Sequence, residues 1–217
     1  MSLSQPIESR RLDCVHIGRQ VLRFERLEST NSTAAALADS HEPGLVVIAD
    51  YQTAGRGQYG RVWEARSGSS LLMSVALRPP RELCRPVILT ALAAVAVGDA
   101  ILALTGVQSR IKWPNDLLAC GKKVCGILIE STTTTAIGIG LNLNQTAAEF
   151  AAAGLTEAGS LEEIAERPIP VWSAAEIVIQ KLDLEFARLL RGEIVALEAE
   201  WKWRVGLLGR QVALELN

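Results

Sequence analysis

Residues 45–63 read LVVIADYQTAGRGQYGRVW. The first five are apolar and mostly β-branched, a run of strand length. Gly55, Gly57 and Gly60 then punctuate a loop that also carries Arg56 and Arg61. Glycine adopts positive φ at little steric cost, so successive loop amides are expected to turn toward one anion while two guanidinium forks supply charge. A strand running into a phosphate-cradling loop is the expectation; a hairpin loop with incidental arginines is the bland alternative. The spacing Gly55-x-Gly57-x-x-Gly60 also matches dinucleotide-binding and kinase glycine loops, but neither context follows. Arg66-Ser67-Gly68-Ser69-Ser70 leads into another strand instead of a helix, and no His-Arg-Asp or Asp-Phe-Gly occurs downstream.

Working outward, residues 21–24 read as a short strand, and Ser29, Thr30 and Asn31 precede an alanine-rich helix expected over 32–39. Their side chains either cap that helix or face a ligand. Downstream, residues 71–77 alternate as a strand, and 86–104 form a nearly all-apolar helix that must be buried. A strand over 109–113 ends in the turn Pro114-Asn115-Asp116, where Lys112 and Asp116 are either a satisfied ion pair or part of a polar site. A turn at Gly121-Lys122-Lys123 opens a strand over 124–130, and 136–144 form another. On that last strand Gly138 and Gly140 share a parity with Asn142 and Asn144. Missing side chains on one face signal close approach, either of a ligand or of a packing helix. Short helical pieces follow over 146–153 and 161–166. Then comes an amphipathic helix over 173–190, with Ile177, Ile179, Leu182, Leu184, Phe186 and Leu189 supplying its apolar faces. A helix over 193–203 and a turn with one strand over 207–216 complete the pattern.

The 217 residues, 49% of them hydrophobic, suffice for one domain with a sizeable core. A net charge of −2, a pI near 5.8 and no basic run give no electrostatic reason to expect nucleic-acid binding. Cys14, Cys84, Cys120 and Cys125 lack C-x-x-C spacing, and His16 and His41 are the only histidines, so reduced thiols and no dedicated metal cluster are expected. The N-terminus has no apolar signal core, and the run over 86–106 is interrupted by Gly98 and Asp99. A cytoplasmic protein with a buried helix, not a membrane span, is the expectation.

Taken together and in order, Ser29-Thr30-Asn31, GRGQYGRVW at 55–63, KWPND at 112–116, KKVCGILIE at 122–130 and GIGLNLN at 138–144 resemble a biotin protein ligase. The resemblance is dense over 21–144 and looser to about 203. It implies an α+β catalytic domain over 21–205, with a central mixed sheet and helices against one face, related to class II aminoacyl-tRNA synthetases. It also implies a two-step reaction. Biotin is activated by ATP to biotinyl-5′-AMP, and the acyl group then passes to a lysine of a biotin carboxyl carrier protein.

By the same resemblance Lys123 and Arg56 are the catalytic candidates, with Lys123 bridging the biotin carboxylate and the α-phosphate. Ser29, Thr30, Asn31, Gln52, Gly55, Arg56, Lys123 and Gly126 match biotin contacts. Arg56, Gly57, Gln58, Arg61, Trp63, Lys112, Asn115, Asp116 and Asn142 match ATP or adenylate contacts, with Trp113 as a second aromatic wall. Mg²⁺ is expected through ATP, with Asn142 near it. Chemically, a carboxylate and a triphosphate can meet only among preorganised cations, which Arg56, Arg61 and Lys123 could supply.

The chain departs from the family at Gln58, where many members carry arginine, and weaker retention of biotinyl-AMP is expected. It is also expected to begin with an extension over 1–20 in place of a DNA-binding domain. Residues 206–217 are expected to hold only the first strand of the family's C-terminal SH3-like barrel. Partners expected are the carrier and no nucleic acid or membrane, with a homodimer left open. The competing readings are a lipoate or octanoate ligase or transferase of the same fold class, and a biotin-binding module that does not complete transfer.

Overall fold

The computed structural model describes residues 5–211. A short strand β1 (Glu8–Arg10) precedes a β-α-β unit made of β2 (Val21–Leu27), α1 (Thr30–Leu37) and β3 (Leu45–Gln52). Because α1 carries the chain back across the sheet, β2 and β3 run parallel, with Val21 opposite Val46. The chain continues through β4 (Ser70–Leu77), α2 (Pro86–Thr105), β5 (Arg110–Lys112), β6 (Asp116–Ala119), β7 (Lys122–Ser131) and β8 (Thr135–Asn142). It finishes with α3 (Ala147–Ala152), α4 (Leu161–Ala165), α5 (Val171–Leu190) and α6 (Ile194–Val205). The strands form one sheet in the order β1-β2-β3-β4-β8-β7-β6-β5, and every pairing except β2 with β3 is antiparallel. This is the mixed sheet and α+β class that the sequence leads one to expect.

Strand alternation assigns the two faces. Val46, Ile48, Leu71, Met73, Val75, Ile137, Ile139 and Leu141 join α2 and α5 in the main core. α2 is long and apolar enough to cross a membrane, but 67% of its apolar window is buried inside the protein, which makes it a core helix. Its start is set by Pro86, and Gly106 at φ 74 ends it, since proline fits a first turn and glycine a left-handed cap. Leu22, Phe24, Leu45, Val47, Ala49 and Ala76 point the other way and pack beneath Ala34 and Ala38, in and just past α1. β3 therefore reads apolar at every one of its first five positions because helices cover both of its faces. The expectation of helices on one face is corrected here, since α1 sits on the other.

Several local expectations shift. α1 begins at Thr30, and Ser29 makes no side-chain cap bond, so Thr30 and Asn31 belong to the helix and turn toward the sheet. In α5 the buried residues include Ile179, Leu182, Phe186 and Leu189, whereas Leu184 is exposed, so the apolar stripe is narrower than the sequence indicates. Asp183 of that helix accepts the amides of Val15, His16 and Ile17 at 2.9, 2.6 and 2.8 Å, pinning the chain ahead of β2. β6 and β7 join through Cys120 (φ 49) and Gly121 (φ 77), a two-residue hairpin turn of the mirror-image kind. Of the strand expected over 207–216, residues 212–216 lie outside the described residues, and Leu208 and Gly209 form a turn.

Candidate functional site

Beyond the edge of α1, the face of the sheet opposite α2 is uncovered over β4, β8, β7 and β6. Register places Leu72, Gly140, Gly126 and Asp116 in one row across these strands, and Ser74, Gly138 and Leu128 in the next. The glycines make a floor. A Cβ on Gly140 would stand 2.5 Å from Cε2 of Trp63, and one on Gly126 would stand 2.8 Å from its Cζ3. A Cβ on Gly138 would stand 2.5 Å from Oδ1 of Asn31. The packing-helix reading holds at Gly138, which receives Asn31 of α1, whereas Gly140 and Gly126 receive the ring of Trp63, an occupant that neither reading named.

Above this floor lies a cavity of about 430 Å³, walled on one side by the glycine loop. At its α1 end, Gln52 Oε1 accepts from the amide of Thr30 at 2.7 Å and from its hydroxyl at 3.0 Å. Ser74 Oγ lies 2.7 Å from Thr30 Oγ1 and 2.6 Å from Asn31 Oδ1. Asn31 Nδ2 donates to Glu130 Oε2 at 2.7 Å. At the opposite end, Lys123 Nζ lies 2.7 Å from Asp116 Oδ2 and 5.8 Å from the centre of a Trp63 ring. Lys112 is the cross-strand neighbour of Asp116, yet its ammonium lies 3.9 Å from Glu157. The ion pair of Asp116 is thus made with Lys123, not Lys112.

Of the residues singled out in the sequence, Ser29, Thr30, Asn31, Gln52, Arg56, Gly57, Gln58, Arg61, Trp63, Lys112, Trp113, Asn115, Asp116, Lys123, Gly126 and Asn142 all line this cavity. Gly55 does not; it is buried beneath the loop, where a Cβ would meet the carbonyl oxygen of Trp63 at 2.3 Å. Asn115 Nδ2 donates to the carbonyl of Ile127 at 2.8 Å, holding the Pro114 turn to β7. Asn142 is buried; its Nδ2 donates to the carbonyl of Gly159 at 3.1 Å and its Oδ1 accepts from Gln145 at 3.2 Å. Asn144 leaves the row and pairs with the backbone of Ile169, both bonds 2.8 Å.

Three of the loop amides are spent on the loop itself. Gly57 N bonds Arg61 O at 2.7 Å, Arg61 N bonds Gln58 O at 3.2 Å and Trp63 N bonds Gly55 O at 3.0 Å, so these amides close the loop on itself. Among the loop glycines only Gly60 has positive φ, and Tyr59 adopts φ 56 beside it. Among the loop side chains that line the cavity are Arg61, which makes no ion pair among the described residues, Gln58, and the Trp63 ring. Trp63 Nε1 is buried with no partner, a donor left unsatisfied in the cavity wall. Trp113 is 57% exposed at the mouth, so neither tryptophan is a core residue.

Sequence reasoning missed Ser74 and Glu130. Burial pushes the Glu130 carboxyl upward, but hydrogen bonds from Arg56 and Asn31 outweigh it and hold the group below its ordinary value. Ser74 sits within an apolar strand with no motif around it. Glu130 ends KKVCGILIE on the parity of Gly126 and Leu128, and that parity is the signal that could have found it. Among the described residues no group of three or more His, Cys, Asp or Glu is placed to hold a metal.

Residues 23–144 match the model of the biotin/lipoate A/B protein ligase family. The chain is 44% identical over 141 residues to the bifunctional ligase/repressor BirA of Bacillus subtilis, covering 62% of this chain and 43% of that protein. It is 38% identical over 154 residues to the biotin–[acetyl-CoA-carboxylase] ligase of Paracoccus denitrificans, covering 67% and 60%. The fold is similar to that of the Aquifex aeolicus biotin protein ligase in complex with biotin and ATP, at TM-score 0.77 and 25% identity over 87% of this chain and 79% of that one. The chain therefore spans about half the length of the curated relatives it matches.

Proposed function

Because the chain belongs to the biotin/lipoate A/B protein ligase family, we propose that its cavity activates biotin with ATP to biotinyl-5′-AMP and passes the biotinyl group to a lysine of a carrier protein. The carrying observation is the separation of chemistries within one trough. A hydroxyl-and-amide cluster of Thr30, Gln52 and Ser74 stands at one end and a lysine held by a carboxylate at the other, with a floor of Gly138, Gly140, Gly126 and Leu72 between them. From Gly138 to Asn142 the strand advances about 13 Å, room for a bicyclic ring and its five-carbon acid laid end to end. The cluster suits a ureido group, which both donates and accepts, and would be left partly unpaired by the dithiolane of lipoate. The names of the Paracoccus denitrificans relative, a biotin–[acetyl-CoA-carboxylase] ligase, and of the Aquifex aeolicus biotin protein ligase support this reading.

The valeryl chain supplies about 0.8 kcal/mol per buried CH₂, roughly 3 in all, against about 8 for micromolar binding, so the polar end must provide much of the remainder. Lys123 is the group we place between the biotin carboxylate and the α-phosphate. An ammonium has three donors, so it can keep Asp116 and still reach both reacting oxygens. Its charge offsets the repulsion between carboxylate and phosphate and the charge that develops as the carboxylate oxygen attacks phosphorus and pyrophosphate leaves. Arg61 and Lys112, both exposed, line the cavity, and we place the triphosphate beside them and the adenylate beside Gln58 and Asn115. With no cluster of acidic ligands among the described residues, Mg²⁺ would arrive with the nucleotide, held chiefly by phosphate oxygens and water near Asn142 and Asp116. In the second step the carrier lysine amine attacks the acyl carbon and AMP leaves. We further propose that residues 21–205 are the catalytic unit, that the carrier belongs to a biotin-dependent carboxylase, and that the reaction takes place in the cytoplasm.

The test is ATP- and Mg²⁺-dependent transfer of labelled biotin to a carrier domain, with pyrophosphate release measured in the same tubes and Lys123→Ala alongside. Labelling that is lost in the variant supports the proposal. Activation of lipoate but not biotin would reassign the substrate, and pyrophosphate with retained biotinyl-AMP but no labelling would reduce the function to the first step.

A further inference from the structure

Arg56 is the loop arginine that faces the reaction in the sequence reading, yet its guanidinium is already engaged. Its Nη2 donates to Glu130 Oε2 at 2.8 Å, and Nη1 and Nη2 both donate to Ser32 Oγ at 3.1 Å. The same Glu130 oxygen accepts from Asn31, whose Oδ1 lies 2.6 Å from Ser74 Oγ. One chain of hydrogen bonds therefore runs from the centre of the sheet through the first turn of α1 and the end of β7 to the loop. The guanidinium fork suits this, since one rigid planar group with five donors reaches a serine and a carboxylate together in fixed directions.

The loop needs such an anchor. Arg56, Gly57, Gln58, Tyr59, Arg61 and Val62 line both the cavity and a second, open hollow of about 930 Å³, so space lies on both sides of the loop. At its base Arg56 bridges Val62, and the amide of Trp63 bonds Gly55. Fixing Arg56 thereby fixes the partner side of the stalk and, through it, the Trp63 ring over Gly140 and Gly126.

We propose that Arg56 and Glu130 are a positioning pair: Glu130 clamps the Arg56 guanidinium against α1, and the clamp sets where the glycine loop and Trp63 stand over the ligand. Arg56 then serves the reaction through its backbone and its place in the loop. The cationic work on the phosphates falls to Lys123, Arg61 and Lys112. The inference rests on the biotin-adenylating reading for its kinetic consequences only, because the clamp itself is a statement about the loop.

The experiment compares wild type, Glu130→Gln, Arg56→Met and the double variant. Hydrogen exchange of the amides of Gly57, Arg61 and Trp63 is measured first, since each is bonded within the loop. Exchange faster by about five-fold in both single variants, and no faster in the double than in Arg56→Met, is expected of a clamp whose halves act mainly through their shared contact. Kinetically, the same variants should raise the KM for biotin and the escape rate of biotinyl-AMP by about five-fold with kcat changed less than about two-fold. Loop exchange unchanged in Glu130→Gln would overturn the clamp. So would a kcat fall of ten-fold or more in Arg56→Met that Glu130→Gln does not share, because that is the signature of a cation acting directly on the reacting phosphate. A wild type that makes no adenylate would remove the functional reading while leaving the exchange comparison to decide the clamp.

Discussion

Gly140→Ala is the sharpest probe of the glycine floor. The added Cβ would lie 2.5, 2.7 and 3.0 Å from Cε2, Cζ2 and Cδ2 of Trp63, whereas carbon atoms rest at about 3.5–4.0 Å, so the indole must retreat by about 1 Å. Its backbone is held, because Trp63 N is bonded to Gly55 O and the Trp63 carbonyl packs on Gly55 where a Cβ would have no space. Overpacking of this kind costs about 1–3 kcal/mol. The ring belongs to a loop and not to the core, so the cost should appear as a displaced wall: a Kd for biotin weaker by roughly five- to 150-fold, with Tm lowered by less than about 4 °C. Gly121→Ala is the opposite control. Gly121 has φ +77 in open space, so alanine there carries about 1–2 kcal/mol of backbone strain and touches nothing in the cavity. Titration calorimetry with biotin and thermal unfolding should therefore separate the two variants, Gly140→Ala moving binding more than Tm and Gly121→Ala moving Tm alone. A folded Gly140→Ala protein that binds biotin within about two-fold of wild type would refute the placement of Trp63 as a wall of the site.

Gly98→Ala should be far more damaging to stability, since its Cβ would stand 2.2 Å from Nη1 of the buried Arg204, which bonds the carbonyl of Val95 and pairs with Asp99 and Glu200. Disrupting that buried pair costs about 3 kcal/mol, a Tm loss of roughly 6–12 °C by calorimetry. Alkylation at pH 8 followed by mass spectrometry should modify the exposed Cys84 and Cys120 first. Burial, with Asp183 and Asp13 nearby, pushes the Cys14 thiol up to about 11, and full burial raises Cys125 further still. Glu130 titrates below its unfolded value, so its contribution is present above the ordinary carboxylate range and lost as pH falls through its folded pKa. The stability difference between wild type and Glu130→Gln should accordingly be flat from about pH 6 to 8 and shrink below about pH 4, as read by urea titrations. Gln58→Arg adds a cation to the cavity wall and should reduce labelling of bystander proteins; equal bystander labelling would show that Gln58 does not set adenylate retention.

What was legible in the sequence follows from which interactions are local. Strand alternation and a glycine pair two residues apart told correctly that one face of β8 is approached closely, because a strand has a strict period of two. The nature of what approaches was not legible. Asn31 lies 107 residues from Gly138 and Trp63 lies 77 from Gly140, and only strand order β4-β8-β7 brings them together. The same reason explains why, of the two readings of Lys112 and Asp116, the ion pair fails while both residues do line the cavity. Lys112 is four residues away and faces it across a turn, but a neighbouring strand supplies Lys123 on the cavity side, and the closer ammonium at 2.7 Å takes the carboxylate. The loop fails for a different reason. Glycine content announces that a backbone can bend, whereas here Gly55 answers to a neighbouring carbonyl and the strained φ falls on Tyr59, which is 89% exposed. Composition therefore located the loop but could not say whether its amides face inward or a ligand, since that depends on the Arg56↔Val62 bridge and on a carboxylate 74 residues downstream. A loop whose base is fixed by a long-range ion pair, and whose tip lies open between two hollows, is one in which removing a distant charge changes ligand retention before it changes the fold.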